Sequence, residues 1–506
     1  KSSATQSLSI GGTIERLNER PYFTKTNYGE DPIRNTMYGV DVNFRSQWPG
    51  LTRLFNKLPW SSSKEMSTIT AVGEAAYLQP GHPPQIGKGS SGTIYIDDFE
   101  GSTSSVDLRF PITSWALAST PANNGLFPEA NLNDSLPYGY NRAKFAWYNI
   151  EPTLQDKTAS NNPVKNYQDF SDPRIVPVSI TQLFPTITPE FGQAQLITFD
   201  VSYFPTQKGP YNFDTRPGSL TPTGDLANPK SRWGGIMRAI DQTDFETSNV
   251  QYIEFWMQSP FLVGNQGPTG TGGQLYMDLG SISEDVLKDG RKLFENGLNT
   301  PNIPASIDNS SVWGRVPFNA VQTTNAFSTD PTDRPFQDQG FDGMNDTAEA
   351  TKFSSYLSQL AVLFGTGSAI YQKAAADPAA DDYLNYRAPQ YDSSQTQIVG
   401  RYKNINNPQG NSPIAPPGAT YVDASTLYPD QEDLDHDNTM NELEEYFEYK
   451  VDLTPAGFAQ PGKNFITDSR TFVGTNNVSQ TWYQFRIPIT SYVQKVGNIP
   501  DFKSIR

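Results

Sequence analysis

The most chemically suggestive residues in this 506-residue chain are two acidic stretches. The first is Asp433-Leu434-Asp435-His436-Asp437-Asn438-Thr439-Met440-Asn441-Glu442-Leu443-Glu444. Asp433, Asp435 and Asp437 stand at loop positions 1, 3 and 5, and Glu444 at position 12, the spacing of an EF-hand loop. A tight loop folds alternate side chains inward, and a following helix delivers the distal carboxylate. Thr439 would offer its backbone carbonyl, and Asn441 would bind directly or through water. Asn438 replaces the usual Gly, and Asn accepts positive φ better than most residues. The plainer alternative is an acidic helix N-terminus, where carboxylates favour the dipole.

The second stretch is Asp338-Gln339-Gly340-Phe341-Asp342-Gly343-Met344-Asn345-Asp346-Thr347-Ala348-Glu349. Asp338, Asp342, Asp346 and Glu349 supply carboxylates, and Met344 would supply a backbone carbonyl. Gly340 falls at position 3 and brings no side chain, so water would stand in. Oxygen donors favour Ca2+ over transition metals. The expected role is structural: fixing long insertions that lack a core of their own.

Other chemistry is weaker. Asp97 and Asp98 in Tyr95-Ile96-Asp97-Asp98-Phe99-Glu100 would alternate sides of a strand, so a glycosidase pair facing one substrate is not expected. There are no cysteines and only two histidines, His82 and His436, which disfavours thiolate sites, zinc centres and a Ser-His-Asp triad. Trp115, Trp147, Trp233 and Trp313 could stack on sugars, although Trp is more often core. Residues 264–273 are glycine-rich, but no Lys-Ser/Thr follows, so they form no phosphate loop. Catalysis is not expected.

These residues must be positioned by a mainly β scaffold. Gly (39) and Pro (40) interrupt long helices, and 12% aromatics favour pleated surfaces. Lys plus Arg number 38 against 54 Asp plus Glu, net −16, so nucleic acid is not an expected partner. No secretory leader pattern and no long apolar run are evident, a test that barrel strands escape. Residues 1–80 alternate: Leu8, Ile10 and Ile14, then Val40, Val42 and Phe44, then Ile69, Ala71, Gly73, Ala75 and Tyr77 share faces at period two. A half-exposed sheet and barrel strands both fit this alternation. Residues 81–92 read as a linker.

The region 93–300 reads as a galactose-binding-like or jelly-roll β-sandwich with long loops and a few short helices. Its strands are expected at 93–99, 195–204, 251–258 and 274–279, with 252–257 buried between layers. Ser281 and Glu284 form a capping-box pattern predicting a helix to about Asn296. Residues 301–460 read as a loop and helix insertion carrying both acidic loops. A helix is expected from Thr347, with Tyr356, Leu360, Leu363 and Phe364 on one face, and another over 440–449. Residues 374–417 read as extended loop. Residues 461–506 close the sandwich, with a strand at 481–489 whose core is Trp482, Phe485 and Ile487. The strand-like close at Lys503-Ser504-Ile505-Arg506 reads as a piece of something longer.

Several segments together resemble one family in order: Asn35-Thr36-Met37-Tyr38-Gly39-Val40-Asp41, Ala76-Tyr77-Leu78-Gln79-Pro80-Gly81-His82 and Tyr95-Ile96-Asp97-Asp98-Phe99-Glu100-Gly101, then Arg232-Trp233-Gly234-Gly235-Ile236-Met237-Arg238 and Ile282-Ser283-Glu284-Asp285-Val286-Leu287, then the two acidic loops. The series resembles the SprA/Sov family, the outer-membrane translocon of the type IX secretion system of Bacteroidota. The resemblance implies barrel strands at 1–80, within a very large transmembrane β-barrel, and an extracellular cap domain beyond. It implies export of folded cargo with C-terminal secretion signals, including gliding adhesins. It also implies a smaller outer-membrane barrel shuttle protein, a periplasmic plug protein and outer-membrane lipid as partners. The alternative left by the residues alone is a secreted carbohydrate-binding β-sandwich module with structural calcium.

Overall fold

The computed structural model describes residues 6–19, 32–81, 83, 105–164, 169–189, 194–261, 272–293, 295, 298, 307–318, 325–413, 426–458, 461–474 and 477–505. The strand expected at 93–99 with its Asp97-Asp98 pair, most of the linker at 81–92 and most of the glycine-rich stretch lie outside them. The protein is mainly β, with antiparallel sheets and a few short helices. The chain divides into two compact units, Lys1–Ser105 and Val106–Arg506.

The first unit is an antiparallel meander of β1 (Gln6–Asn18), β2 (Arg34–Gln47) and β3 (Thr68–Gln79). Directly opposed residues share a face. The register sets Leu8 opposite Phe44 and Ala71, Ile10 opposite Val42 and Gly73, and Ile14 opposite Tyr38 and Tyr77. The three alternating runs of the sequence therefore merge into one apolar face. The reverse face carries Ser9, Asn43, Asp41, Glu74 and Glu15, interrupted by Leu17, Met37, Val72 and Leu78. Among the described residues of this unit nothing covers the apolar face: Ile10 is 66% exposed and Ile14 74%. The connection from β2 to β3 holds a short helix, Pro49–Phe55, and exposes Trp48, Phe55 and Trp60. Gly11 lies opposite Asp41, whose carboxylate fills the space a Cβ there would take.

The second unit has a sandwich at its C-terminal end. One sheet sets Ser479–Pro488 between Tyr252–Gln258 and Ile466–Val473. The other sets Glu445–Leu453 between Gly273–Ser281 and Gln494–Val496. Leu279, Phe447, Tyr449 and Val451 from the second sheet meet Ile466, Phe485 and Ile487 from the first in one buried core. Each such side chain removed from water contributes about 1.5–3 kcal/mol. A second core gathers Tyr211, Phe213, Trp313, Phe341, Met344, Phe353 and Tyr356. A third packs Tyr148, Leu154, Ile398 and Tyr402.

Four elements depart from expectation. Residues 440–449 are not helical: Glu445–Leu453 is a strand between two partners, and its alternating Tyr446, Phe447, Tyr449 and Val451 are buried. Burial on both faces outweighs the helix preference of the Glu residues around it. Among the described residues of 282–296 no helix forms, because Glu284 does not cap its own segment. Its carboxylate accepts the backbone N–H groups of Leu434 (2.8 Å) and Asn441 (2.9 Å). Strand Tyr252–Gln258 is half-buried at a sheet edge, not enclosed between layers. The described part of 374–417, residues 374–413, is not an extended loop, since short helices at Pro389–Ser393 and Ile398–Arg401 fold Ile398 and Tyr402 into the third core.

Helix Asp346–Lys352 begins where the second acidic stretch predicts, with the Asn345 side chain accepting Ala348 N–H. Helix Ser354–Phe364 follows and buries Tyr356, Leu357 and Leu360, while Leu363 points outward.

Candidate cation site

Asp433 and Asp435 come together with Glu284, one carboxylate oxygen of each lying within 4.8 Å of the others. Glu444 does not join them. Without a following helix its carboxylate turns to Ser283 N–H instead (3.3 Å). Asp437 is occupied by the N–H (2.8 Å) and hydroxyl of Thr439. Asn441 gives its N–H to Glu284 and its carbonyl accepts Glu284 N–H. Asn438 takes φ +67°. Asp433 also pairs with the Lys292 ammonium and accepts Asn438 N–H. Positive charge therefore already reaches this cluster, which lowers its demand for an ion.

The loop at 338–349 is arranged differently. Asp338 points away from the others. Its carboxylate accepts the N–H groups of Gly410 (2.9 Å), Asn411 (3.1 Å) and Ser412 (3.3 Å) and the Ser412 hydroxyl (2.8 Å), tying down another loop. Asp342 and Glu349 converge, and a residue outside the loop completes them: Asp381. All three are 0% exposed. Each spends one oxygen on a neutral donor: Asp342 on Met344 N–H (3.0 Å), Glu349 on Ala379 N–H (2.8 Å) and Asp381 on the Tyr211 hydroxyl (2.8 Å). The other oxygens, Asp342 Oδ2, Glu349 Oε1 and Asp381 Oδ1, are buried without a hydrogen-bond partner.

Gly340, at φ +89°, explains how Asp381 enters. A Cβ on Gly340 would lie 2.5 Å from Asp381 Oδ2 and 3.3 Å from the Met344 carbonyl oxygen. The missing side chain at position 3 makes room for a carboxylate 41 residues further on. Gly343, at position 6, takes φ +71°.

Asp346 leaves this trio and meets Asp377 and Asp382. Its Oδ1 is also buried without a partner. Burial, reinforced by neighbouring carboxylates, pushes Glu349 up to about 12 and Asp381 well above the carboxylate range, and burial alone does the same to Asp342 against the pull of Met344 N–H, Arg315 and Lys352. Burial and Asp377 push Asp346 up to about 6, and burial with Asp377 and Asp346 pushes Asp382 up to about 7. Arg315 and Lys352 near Asp342, and Lys144 near Asp377, favour the charged forms, but their hydrogen bonds go elsewhere: Arg315 to Gly343 O and Gln339, Lys352 to Ser311 O and Lys144 to Asn407.

Sequence reasoning missed Asp377, Asp381, Asp382 and Glu284. The signal for Asp381 was the absent ligand at Gly340. No local pattern points to Glu284. Of the four tryptophans, Trp147 and Trp313 are buried, and Trp115 and Trp233 are half-buried against Phe199 and Phe127.

Residues 355–506 match the model of a family described as motility related/secretion protein. The matched span begins in helix Ser354–Phe364 and includes Asp377, Asp381, Asp382 and the 433–444 loop. No curated protein matches the chain. Over that span the chain is similar to motility related/secretion proteins. The match supports the resemblance to the SprA/Sov family over residues 355–506.

Proposed function

We propose that this chain is part of the outer-membrane translocon of type IX secretion, the pore that exports folded cargo proteins and gliding adhesins. The observation that carries the reading is the apolar face of β1–β3. Its Leu8, Ile10, Ile14, Val40 and Tyr77 are each more than half exposed, while the reverse face is mostly polar. In water such a face forgoes about 25 cal/mol per Å2 of apolar surface. Against lipid it forgoes nothing. The strands are 13, 14 and 12 residues long, beyond the about 9–11 that a tilted strand needs to cross a bilayer. Trp48, Phe55 and Trp60 at one end suit the aromatic girdle of an outer-membrane barrel. No described helix is long and apolar enough to cross a membrane.

Under this reading β1–β3 are wall strands, and Val106–Arg506 is a cap domain on the extracellular side. The cap does no bond chemistry. Its acidic loops take structural Ca2+ and hold long connections rigid, so that cargo leaves sideways. Cargo with C-terminal signals, a smaller barrel that receives it and a periplasmic plug are the partners. The test is an immunoblot of fractionated source cells with antibody against this segment, paired with cargo secretion after its deletion. A very large outer-membrane band and loss of secreted cargo are expected. A band of this chain's own size in the medium, with secretion intact, overturns the reading.

A further inference from the structure

Six carboxylates converge from two segments, 342–349 and 377–382, in two groups of three. Among the described residues no salt bridge reaches any of them. Three of the six are wholly buried, each keeps one buried oxygen without a hydrogen-bond partner, and one oxygen of each lies within 4.8 Å of the others. An uncompensated buried carboxylate is costly, and three together cannot all remain ionised without a cation. The two groups draw on the same two segments, and adjacent residues, Asp381 and Asp382, serve one group each. No nitrogen or sulfur ligand is among them, which selects a hard divalent ion. Gly340 leaves an opening that Asp381 enters beside the Met344 carbonyl.

We propose that these segments form one bipartite site for two Ca2+-class ions: an inner ion held by Asp342, Glu349 and Asp381, and an outer ion held by Asp346, Asp377 and Asp382. The proposal rests on the structural-calcium part of the reading above and changes its architecture. One loop of twelve residues does not enclose one ion. Two segments are clasped together by two, and Asp338 is not a ligand. The clasp joins helix Asp346–Lys352 to the turn after helix Ala369–Ala376. The inner ion would finish the charge balance of the core around Tyr211, whose hydroxyl already holds Asp381.

The experiment counts bound calcium on the purified full chain in detergent, after chelation and equilibrium dialysis with Ca2+. Asp381→Asn is expected to remove one ion per chain, Asp377→Asn with Asp382→Asn one ion, and the triple variant two. Asp338→Asn is expected to remove none. Loss of a single ion in the triple variant, or loss on Asp338→Asn with none on Asp381→Asn, overturns the bipartite site and leaves a one-loop calcium site standing. No calcium bound by the wild type overturns both. A measurement on the wild type alone guards against variants that misfold: hydrogen exchange at Ala379 N–H, which donates to Glu349, should slow at least tenfold with Ca2+ over chelator. Unchanged exchange there contradicts the clasp.

Discussion

Gly340 and Asp381 fit together as a hole and its occupant: the Cβ that Gly340 lacks would sit 2.5 Å from Asp381 Oδ2. The relationship reverses an ordinary expectation. In a self-contained calcium loop, Asp at position 3 would add a ligand and strengthen binding. Here Gly340→Asp should weaken both folding and calcium binding, because the place is taken and φ is +89°. Gly340→Ala should cost about 1–3 kcal/mol from strain and crowding. Thermal unfolding of the two variants, with and without Ca2+, checks this. A gain in calcium affinity for Gly340→Asp would refute the arrangement.

Phe485 should be the costliest truncation in the sandwich. It is 0% exposed, stacks on Phe255 at 5.0 Å and meets Phe458 edge-on at 5.6 Å. Phe485→Ala should lose about 3–5 kcal/mol in urea unfolding, whereas Val473→Ala, at an exposed position, should lose well under 1 kcal/mol.

Lys208 gives the second unit a pH dependence of known sign. Its ammonium donates to Asp214 O (2.7 Å) and lies 4.5 Å from the Tyr356 ring centre. Burial, opposed by Asp214 and aided by Arg232, lowers it from 10.5 to about 7. A base lowered in the folded state is a burden wherever the unfolded chain holds its proton and the folded chain resists it. The burden is full below about pH 7, on the order of a few kcal/mol, and fades as pH rises toward 10.5. Lys208→Met should therefore stabilise relative to wild type at pH 6, and the difference should shrink or reverse by pH 10. A constant difference across that range would contradict the assignment.

The two faces of β1–β3 should respond oppositely to charge. Val42→Arg, on the apolar face, should cost about 2–4 kcal/mol in lipid and reduce assembly into outer membranes. Asn43→Arg, one residue on and on the other face, should be tolerated. Heat-modifiability of the assembled protein on gels reads both.

Alternation made the first sheet legible, because period two and a fixed register leave one solution for Ile10, Val42 and Gly73. The sandwich strand around Phe485 was equally plain, except that Trp482, expected in its core, is half-buried outside it. The helix expected at 440–449 failed because Glu-rich sequence suits a helix, whereas Tyr446, Phe447 and Tyr449 answer to partners far away in the chain. The capping pattern at Ser281–Glu284 failed for the same reason: Glu284 finds its donors 150 and 157 residues on. Loop spacing brought out Asp342 and Glu349. It grouped Asp338 with them, whereas Asp338 holds residues 410–412, and it could not see Asp381, since a residue from a second segment leaves no local period.

The central claim, that β1–β3 lie in an outer-membrane wall, has a direct test that exploits the absence of native cysteine. Single cysteines would be placed at Ile10, Val42 and Ala75 on one face and at Ser9, Asn43 and Glu74 on the other. Each would be labelled in native outer membranes with a membrane-impermeant maleimide. The account predicts reaction at the second set and protection of the first, with an environment-sensitive dye reporting hydrocarbon around Ile10, Val42 and Ala75. Equal labelling of both faces would contradict it.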